Sequence, residues 1–332
     1  MSKLLTVLLL SSAPVWGQSR AQCDGLLNRY LRLYPAVSWE YDWTTAIFLY
    51  GALKYQKKEL DLSSLAAKAP AITMPDLAAM SLPASLLTGP AAEKIQRLSR
   101  EFFKTEPLNS IGAINHVGQR HWYSWFVPES VWADSMMMYV LNGLRLKIDD
   151  EFFIKQAKLL VRTLQDPQTK LFKHAYFPQS QSFYPAEHFW ARGNLWMTVG
   201  MLEMLELHHD AELQAMVVEH LKALERYTHP AGLMTLLDTP SQFESSATAL
   251  LAYALIKAKT LRLYESPLIA QVQSAAFSFL RPAPNNEFTL TEISGPTTAF
   301  KYGWYYTNVV GQHSDLSYGV GSFLLLCSSL QL

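Results

Sequence analysis

Ala191–Leu207 reads ARGNLWMTVGMLEMLEL, and three residues later Ala211–Tyr227 reads AELQAMVVEHLKALERY. The first run is apolar on nearly every face at helical spacing, as a helix buried on all sides must be. The second keeps one apolar stripe and a charged face, as a helix that covers it would. Together they predict a hairpin with one inner and one outer arm. The same alternation recurs along the chain. Apolar helices are expected to start near Trp43, Pro75, Ser130, Ala191, Ser245 and Ser317. Their expected partners are Asp24 to Leu33, Leu62 to Lys68, Ala91 to Phe103, Glu151 to Leu164, Ala211 to Tyr227 and Pro267 to Leu280. The partner from Ala91 shows the charged face plainly in Glu93, Lys94, Arg97, Arg100 and Glu101. Six inner and six outer helices predict an all-α, (α/α)6 toroid built as a single domain over residues 18–332.

The 332 residues carry 28 Lys and Arg against 28 Asp and Glu, a balance that disfavours a nucleic-acid partner. Gly319 and Gly321 form a short GxG, but inside an apolar helical run rather than a phosphate-binding turn. There is no H-E-x-x-H, no Cys-His cluster and no G-x-S-x-G element, so neither a metal, a cofactor nor a serine nucleophile is expected. The run Met136 to Met138 reads as core filler.

The first residues read as an export signal over 1–17. Lys3 precedes the apolar run Leu4 to Leu10 and then small residues, with cleavage expected near Gly17. That run is too short to span a bilayer, so no membrane association is expected after cleavage, and the mature chain is expected to be periplasmic or secreted. Two cysteines, Cys23 and Cys327, stand at opposite ends, and in an exported chain such a pair suggests a disulfide. The toroid adds a reason, because the first helix has no hairpin partner except the last. Two unpaired thiols are the alternative. The sequence says nothing of the oligomeric state.

Antiparallel hairpins put the N-terminal ends of all inner helices on one rim. Gathered there are Tyr41, Asp42 and Trp43; Asp76; Trp132 and Asp134; Trp190, Arg192 and Trp196; and Glu244 to Ser246. Acids, flat aromatic rings and one guanidinium fork suit a sugar acid.

Four stretches carry a family resemblance. They are Phe189-Trp-Ala-Arg-Gly-Asn-Leu-Trp196, Val131-Trp-Ala-Asp-Ser-Met-Met-Met138, Glu244-Ser-Ser-Ala-Thr-Ala249 and Ser314-Asp-Leu-Ser-Tyr-Gly-Val-Gly-Ser-Phe-Leu324. In order and approximate spacing they resemble motifs of the unsaturated rhamnogalacturonyl and glucuronyl hydrolases, glycoside hydrolase families 105 and 88. The resemblance covers the chain from about Ser38 onward. It implies hydrolysis of a terminal 4,5-unsaturated uronic acid from an oligosaccharide, begun by protonation of the vinyl ether. By position, the resemblance makes Asp134 the catalytic acid and base, and Asp76 a second acid matched more loosely. Trp190, Arg192 and Trp196 correspond to the substrate-binding motif, and His174 to a pocket histidine.

The same family often has a His-Lys pair about eleven residues before the catalytic aspartate. Here Tyr123 occupies that place, inside a diverged loop from Asn109 to Pro128 that also holds Arg120, His121, Trp122 and Trp125. Tyr41, Trp132 and His121 complete the expected sugar contacts. Bland roles stand beside these. A helix-start acid gains from the dipole whatever else it does, Arg192 could pair with Glu244, and Glu244 itself reads as structural. Trp190 and Trp196 do not share a helix face, so one of them is expected in the core. A non-catalytic saccharide-binding protein, or an ordinary glycosidase using Asp76 and Asp134 as its carboxyl pair, are the alternatives.

Overall fold

A computed structural model describes residues 13–56, 60–297 and 312–330. The inner helices are α2 (Trp43–Gln56), the short α4 (Pro75–Ala78) and α5 (Ser81–Ala84), α7 (Leu141–Arg145) with the π-helical turn Met136–Val140 that leads into it, α9 (Ala191–Leu207), α11 (Ser245–Thr260) and α13 (Ser317–Ser329). The outer helices are α1 (Ala13–Leu33), α3 (Ser63–Lys68), α6 (Pro90–Thr105), α8 (Asp150–Leu164), α10 (Ala211–Glu225) and α12 (Ile269–Phe277). Inner helices touch in the circular order α13, α2, α5, α7, α9, α11 and back to α13, which closes an (α/α)6 toroid. Among the described residues no helix is long and apolar enough to cross a membrane.

Residue choice explains the alternation. All but two of the residues in α9 are buried, whereas α6 buries only Ala92, Ile95, Ser99, Phe102 and Phe103. The tightest inner crossing is α2 on α13. A methyl group at Gly51 would collide with the Gly321 carbonyl oxygen, and one at Gly321 with the Ile47 carbonyl. The Gly321 of the short GxG is therefore a packing residue. Cys23 and Cys327 are joined in a disulfide, Cα to Cα 6.1 Å, which ties α1 to α13 where the ring closes.

Three boundaries differ from the sequence reading. Helix α1 begins at Ala13 rather than Asp24 and runs through the expected cleavage point, while residues 1–12 of the expected signal lie outside the described residues. The expected helix from Pro75 is split in two, with Pro83, which has no N–H to donate, in the second piece. The helix expected from Ser130 starts late. Val131–Trp132 is instead a strand, β1, paired antiparallel with β2 (Ala175–Phe177), which pairs in turn with β3 (Ser182–Tyr184). The π turn then follows Asp134, whose carbonyl accepts from the N–H groups of Met137 (3.0 Å) and Met138 (2.9 Å). Asn142 supports that turn by donating to the Met137 and Met138 carbonyls.

Candidate active site

Strand pairing brings the central groups together. The Ala133 N–H donates to the His174 carbonyl at 2.8 Å, so the residue after β1 faces the residue before β2. Asp134 Oδ2 and His174 Nε2 are then 3.0 Å apart. Trp132, the second residue of β1, donates its indole N–H to Ser130 Oγ at 2.9 Å. Its ring stacks on His116 (centroids 4.3 Å apart, 17° between planes) and meets His174 edge-on at 5.4 Å. His116 Nδ1 lies 2.9 Å from Ser135 Oγ, and its Nε2 lies 3.4 Å from Asp76 Oδ1. Asp76, Asp134, His116 and His174 thus form one cluster across α4, β1 and β2.

Their charges are set by this enclosure. Burial pushes the Asp76 carboxyl up to about 8, and the negative charges of Asp134 and Asp42 push the same way. Burial would also raise Asp134. The charge and hydrogen bond of His174 lead the effects that more than cancel this and hold Asp134 below the usual carboxylate range. Burial brings His116 down to about 4, against the pull of Asp134. At neutral pH the cluster therefore holds Asp76 protonated, His116 neutral and Asp134 ionised. The Asp76 side chain is 27% exposed and the Asp134 side chain 13%, so both can be reached from the mouth.

The residues beside the cluster are arranged differently from the sequence expectation. Arg192 is fully buried. Its guanidinium donates to Glu244 Oε1 (3.2 Å), Ser294 Oγ (2.6 Å) and the Gly295 carbonyl (2.7 Å), and lies between the rings of Trp190 and Tyr318, 4.7 Å from each. It fastens α9, α11, α13 and the strand β4 (Ile293–Ser294) together, and both its terminal nitrogens are spent on protein partners, because an uncompensated guanidinium inside the ring would be costly. Glu244 also caps α11 by accepting the Ala247 N–H. Trp196 is wholly core. Trp190 is buried too, with His174 4.4 Å away and Arg192 against its ring, so it offers no free face for a sugar. Asp42 caps α2 through the Thr45 N–H at 2.8 Å.

Tyr41 and Trp132 are buried at the rim. Among the described residues, the Tyr41 hydroxyl and the Trp190 indole N–H have no hydrogen-bond partner. His121 lies apart, at the start of the exposed turn Trp122–Trp125, where it accepts the Tyr123 N–H. Tyr123 lies in that turn as well. The histidine that reaches the acids is His116, which the sequence reading passed over. The available signal was a histidine further ahead of Asp134 than the spacing that was searched.

Comparison with known proteins now adds to this geometry. Residues 90–331 match the family described as Glycosyl Hydrolase Family 88. The chain belongs to this family. Asp134, His174 and Arg192 fall within the matched stretch, and Asp76 precedes it. The unsaturated rhamnogalacturonyl hydrolase YesR of Bacillus subtilis (strain 168) is 32% identical over 142 residues, which is 39% of this chain and 41% of that protein. The chain thus spans about two fifths of the length of the curated relative that it matches. In the solved structures, a possible member of the GH105 family from Klebsiella pneumoniae superposes with a TM-score of 0.77 at 19% identity, over 99% of this chain and 96% of that one. The unsaturated glucuronyl hydrolase from Bacillus sp. GL1, responsible for the degradation of glycosaminoglycan, superposes at 0.67 with 15% identity, over 94% of this chain and 96% of that one. At such identities these two likenesses bear on the fold of the family 88 chain alone.

Proposed function

We propose that this chain removes a terminal 4,5-unsaturated uronic acid from oligosaccharides produced by polysaccharide lyases. The observation that carries the reading is the enclosure of two carboxyls in one cluster with different partners, Asp134 3.0 Å from His174 and Asp76 3.4 Å from His116, which holds the first below and pushes the second above the usual carboxylate range. Pairs of acids driven apart in this way supply a proton source and a proton acceptor at the same pH. Family membership and the unsaturated uronyl hydrolases among the relatives support the substrate class.

The reaction needs one proton delivered to C4 of the C4=C5 bond and one taken from the water that adds at C5. The C5 hemiketal then opens at its ring oxygen, and the hemiacetal left at C1 collapses with release of the saccharide alcohol. Asp134 is the group that works on the double bond and on the water. The resting proton is on Asp76. A uronate carboxylate entering beside the pair adds negative charge and competes for His174, and both effects draw the proton toward Asp134. His116 bridges the two sides of the cluster, with Ser135 Oγ 2.9 Å from one ring nitrogen and Asp76 3.4 Å from the other.

Export to an oxidising compartment belongs to the same reading, and the Cys23–Cys327 bond supports it.

The test follows the ultraviolet absorbance of the conjugated double bond on lyase-digested pectin and glycosaminoglycan fragments. Wild type should bleach the signal, and Asp134→Asn should lower kcat by about 10²–10⁴-fold, the usual contribution of a general acid-base group. Wild-type turnover in Asp134→Asn would sink the assignment. Cleavage of saturated glycosides without bleaching would favour an ordinary two-carboxylate glycosidase instead.

A further inference from the structure

The turn Trp122–Trp125 carries a feature that the acid cluster does not use. Within the turn Trp122–Trp125 and the residue after it, four aromatic side chains face solvent, with Trp125 81% and Phe126 75% exposed. Exposed aromatics so close together in the sequence mark a contact surface rather than chance. The turn is also well supported. At its base the Gln119 N–H donates to Glu106, Arg120 donates to the Thr105 hydroxyl and carbonyl, and Ser124 Oγ donates to the Gln119 carbonyl at 3.0 Å. Trp122 packs on Tyr123 with ring centroids 4.1 Å apart. The shelf is therefore held in place before anything binds.

Beside it opens a cavity of about 430 Å³, lined by Asn115, Gln119, Trp125, Phe126, Glu129 and Gln179 among others. This volume lies within the roughly 300–1,000 Å³ typical of small-molecule sites. Flat apolar rings next to amide and carboxylate groups match a pyranose, which has apolar C–H faces and a rim of hydroxyls. The cavity also adjoins the acid cluster. Asn115 precedes His116, and its Oδ1 accepts the Ser130 N–H at 2.9 Å, while Ser130 Oγ holds the Trp132 indole. One side of the cavity is thus the back of the wall that positions Trp132 and His116.

We infer that the Trp122–Phe126 shelf and its cavity form an outer saccharide subsite, which binds sugar units of the oligosaccharide beyond the one cleaved. The inference rests on the proposed saccharide chemistry of the acid cluster and adds a preference for longer chains. The lining of mixed polarity, with Asn115 next in the chain to His116 of the cluster, favours a saccharide over a second copy of the chain or a lipid surface, either of which would ask for a larger apolar face. The subsite contributes to binding and leaves the chemical step alone.

The experiment compares unsaturated di- and tetrasaccharides from lyase digests, using wild type, Trp125→Ala and Phe126→Ala. These side chains are solvent-facing, so the variants should fold. The tetrasaccharide KM should rise roughly tenfold more than the disaccharide KM, with kcat little changed, the signature of lost uniform binding. Calorimetric titration of the tetrasaccharide into the same three proteins gives a readout free of turnover, and its affinity should fall in parallel. If wild type cleaves nothing yet binds the tetrasaccharide through Trp125, the subsite stands and the proposed reaction fails. Equal KM ratios and equal affinities in all three proteins would overturn the subsite. So would variants that alter only self-association or vesicle binding.

Discussion

At the C-terminal ends of the inner helices, Glu203 plugs the ring. It is fully buried, and Arg145 (2.6 Å), Lys257 (3.0 Å) and Lys54 (3.2 Å) surround it, with the Tyr50 and Tyr253 hydroxyls donating to it. Glu206 shares Lys257 at 2.8 Å. Burial alone would raise the Glu203 carboxyl, but Lys257, Lys54 and Arg145 outweigh it and keep the group well below the usual range. At the N-terminal ends Asp76 and Asp134 meet, among the described residues, the side chains of His116 and His174, and there the enclosure is relieved by keeping a proton on Asp76. The same problem, a carboxyl away from water, is solved by fixed cations at the floor and by a bound proton at the mouth. The floor solution locks α2, α7, α9 and α11 together. The mouth solution leaves a group that titrates near neutrality and can do chemistry.

Breaking the floor should have the largest effect. Glu203→Ala leaves Arg145 and Lys257 nearly buried and without their main counter-charge, which costs about 3–5 kcal/mol. Urea unfolding should show a much lower midpoint for this variant, while the folded fraction still bleaches unsaturated substrate at close to the wild-type rate. An unchanged midpoint would mean that the cations find other partners, and the contrast between the two ends would collapse.

The helical alternation that builds both ends was legible, because 3.6-residue periodicity and the charged faces of the outer helices are local properties of the chain. The shared rim followed from hairpin geometry, and Asp76 and Asp134 were placed on it. Glu203 was legible in principle, as the first of two acids in the apolar run ARGNLWMTVGMLEMLEL, with apolar residues on both sides, which must find partners if that run is buried. What stayed hidden depends on contacts between distant segments. The late, π-turned start after Asp134 follows from pairing of Val131 and Trp132 with Tyr176 and Ala175, a match forty-odd residues away that no local pattern announces. The burial of Arg192 depends on Ser294 and Gly295, about a hundred residues downstream. His116 was missed because it stands 18 residues before Asp134, outside the spacing that the resemblance suggested.

The mouth can be sharpened by removing its bound proton. Asp76 is a carboxyl with its folded pKa raised, so from about pH 4 to about 8 the folded chain keeps a proton that the unfolded chain has shed. Its contribution to stability therefore falls as pH rises through that window, by roughly 1 kcal/mol per pH unit at most. Asp76→Asn mimics the protonated form without titrating. Relative to this variant, wild type should lose stability from pH 5 to pH 8 in thermal or urea unfolding. Parallel curves would mean that Asp76 ionises normally and that the mouth does not store a proton.

The smallest expected effect tests the other half of the split. Asp134 stays ionised because His174, 3.0 Å away, supplies charge and a hydrogen bond. If the competent free protein has Asp134 ionised and Asp76 protonated, kcat/KM should follow a bell, with its alkaline limb near 8 and an acidic limb set by Asp134. His174→Gln keeps a side chain able to donate a hydrogen bond but removes the charge. The Asp134 carboxyl should then ionise at a higher pH, and the acidic limb should move up. The alkaline limb reports on Asp76, whose pKa depends on burial and on Asp134 rather than on His174, and it should move much less. Movement of one limb without the other would separate the two carboxyls experimentally. Equal movement of both would show that they titrate as a single coupled unit, in which neither limb belongs to one residue.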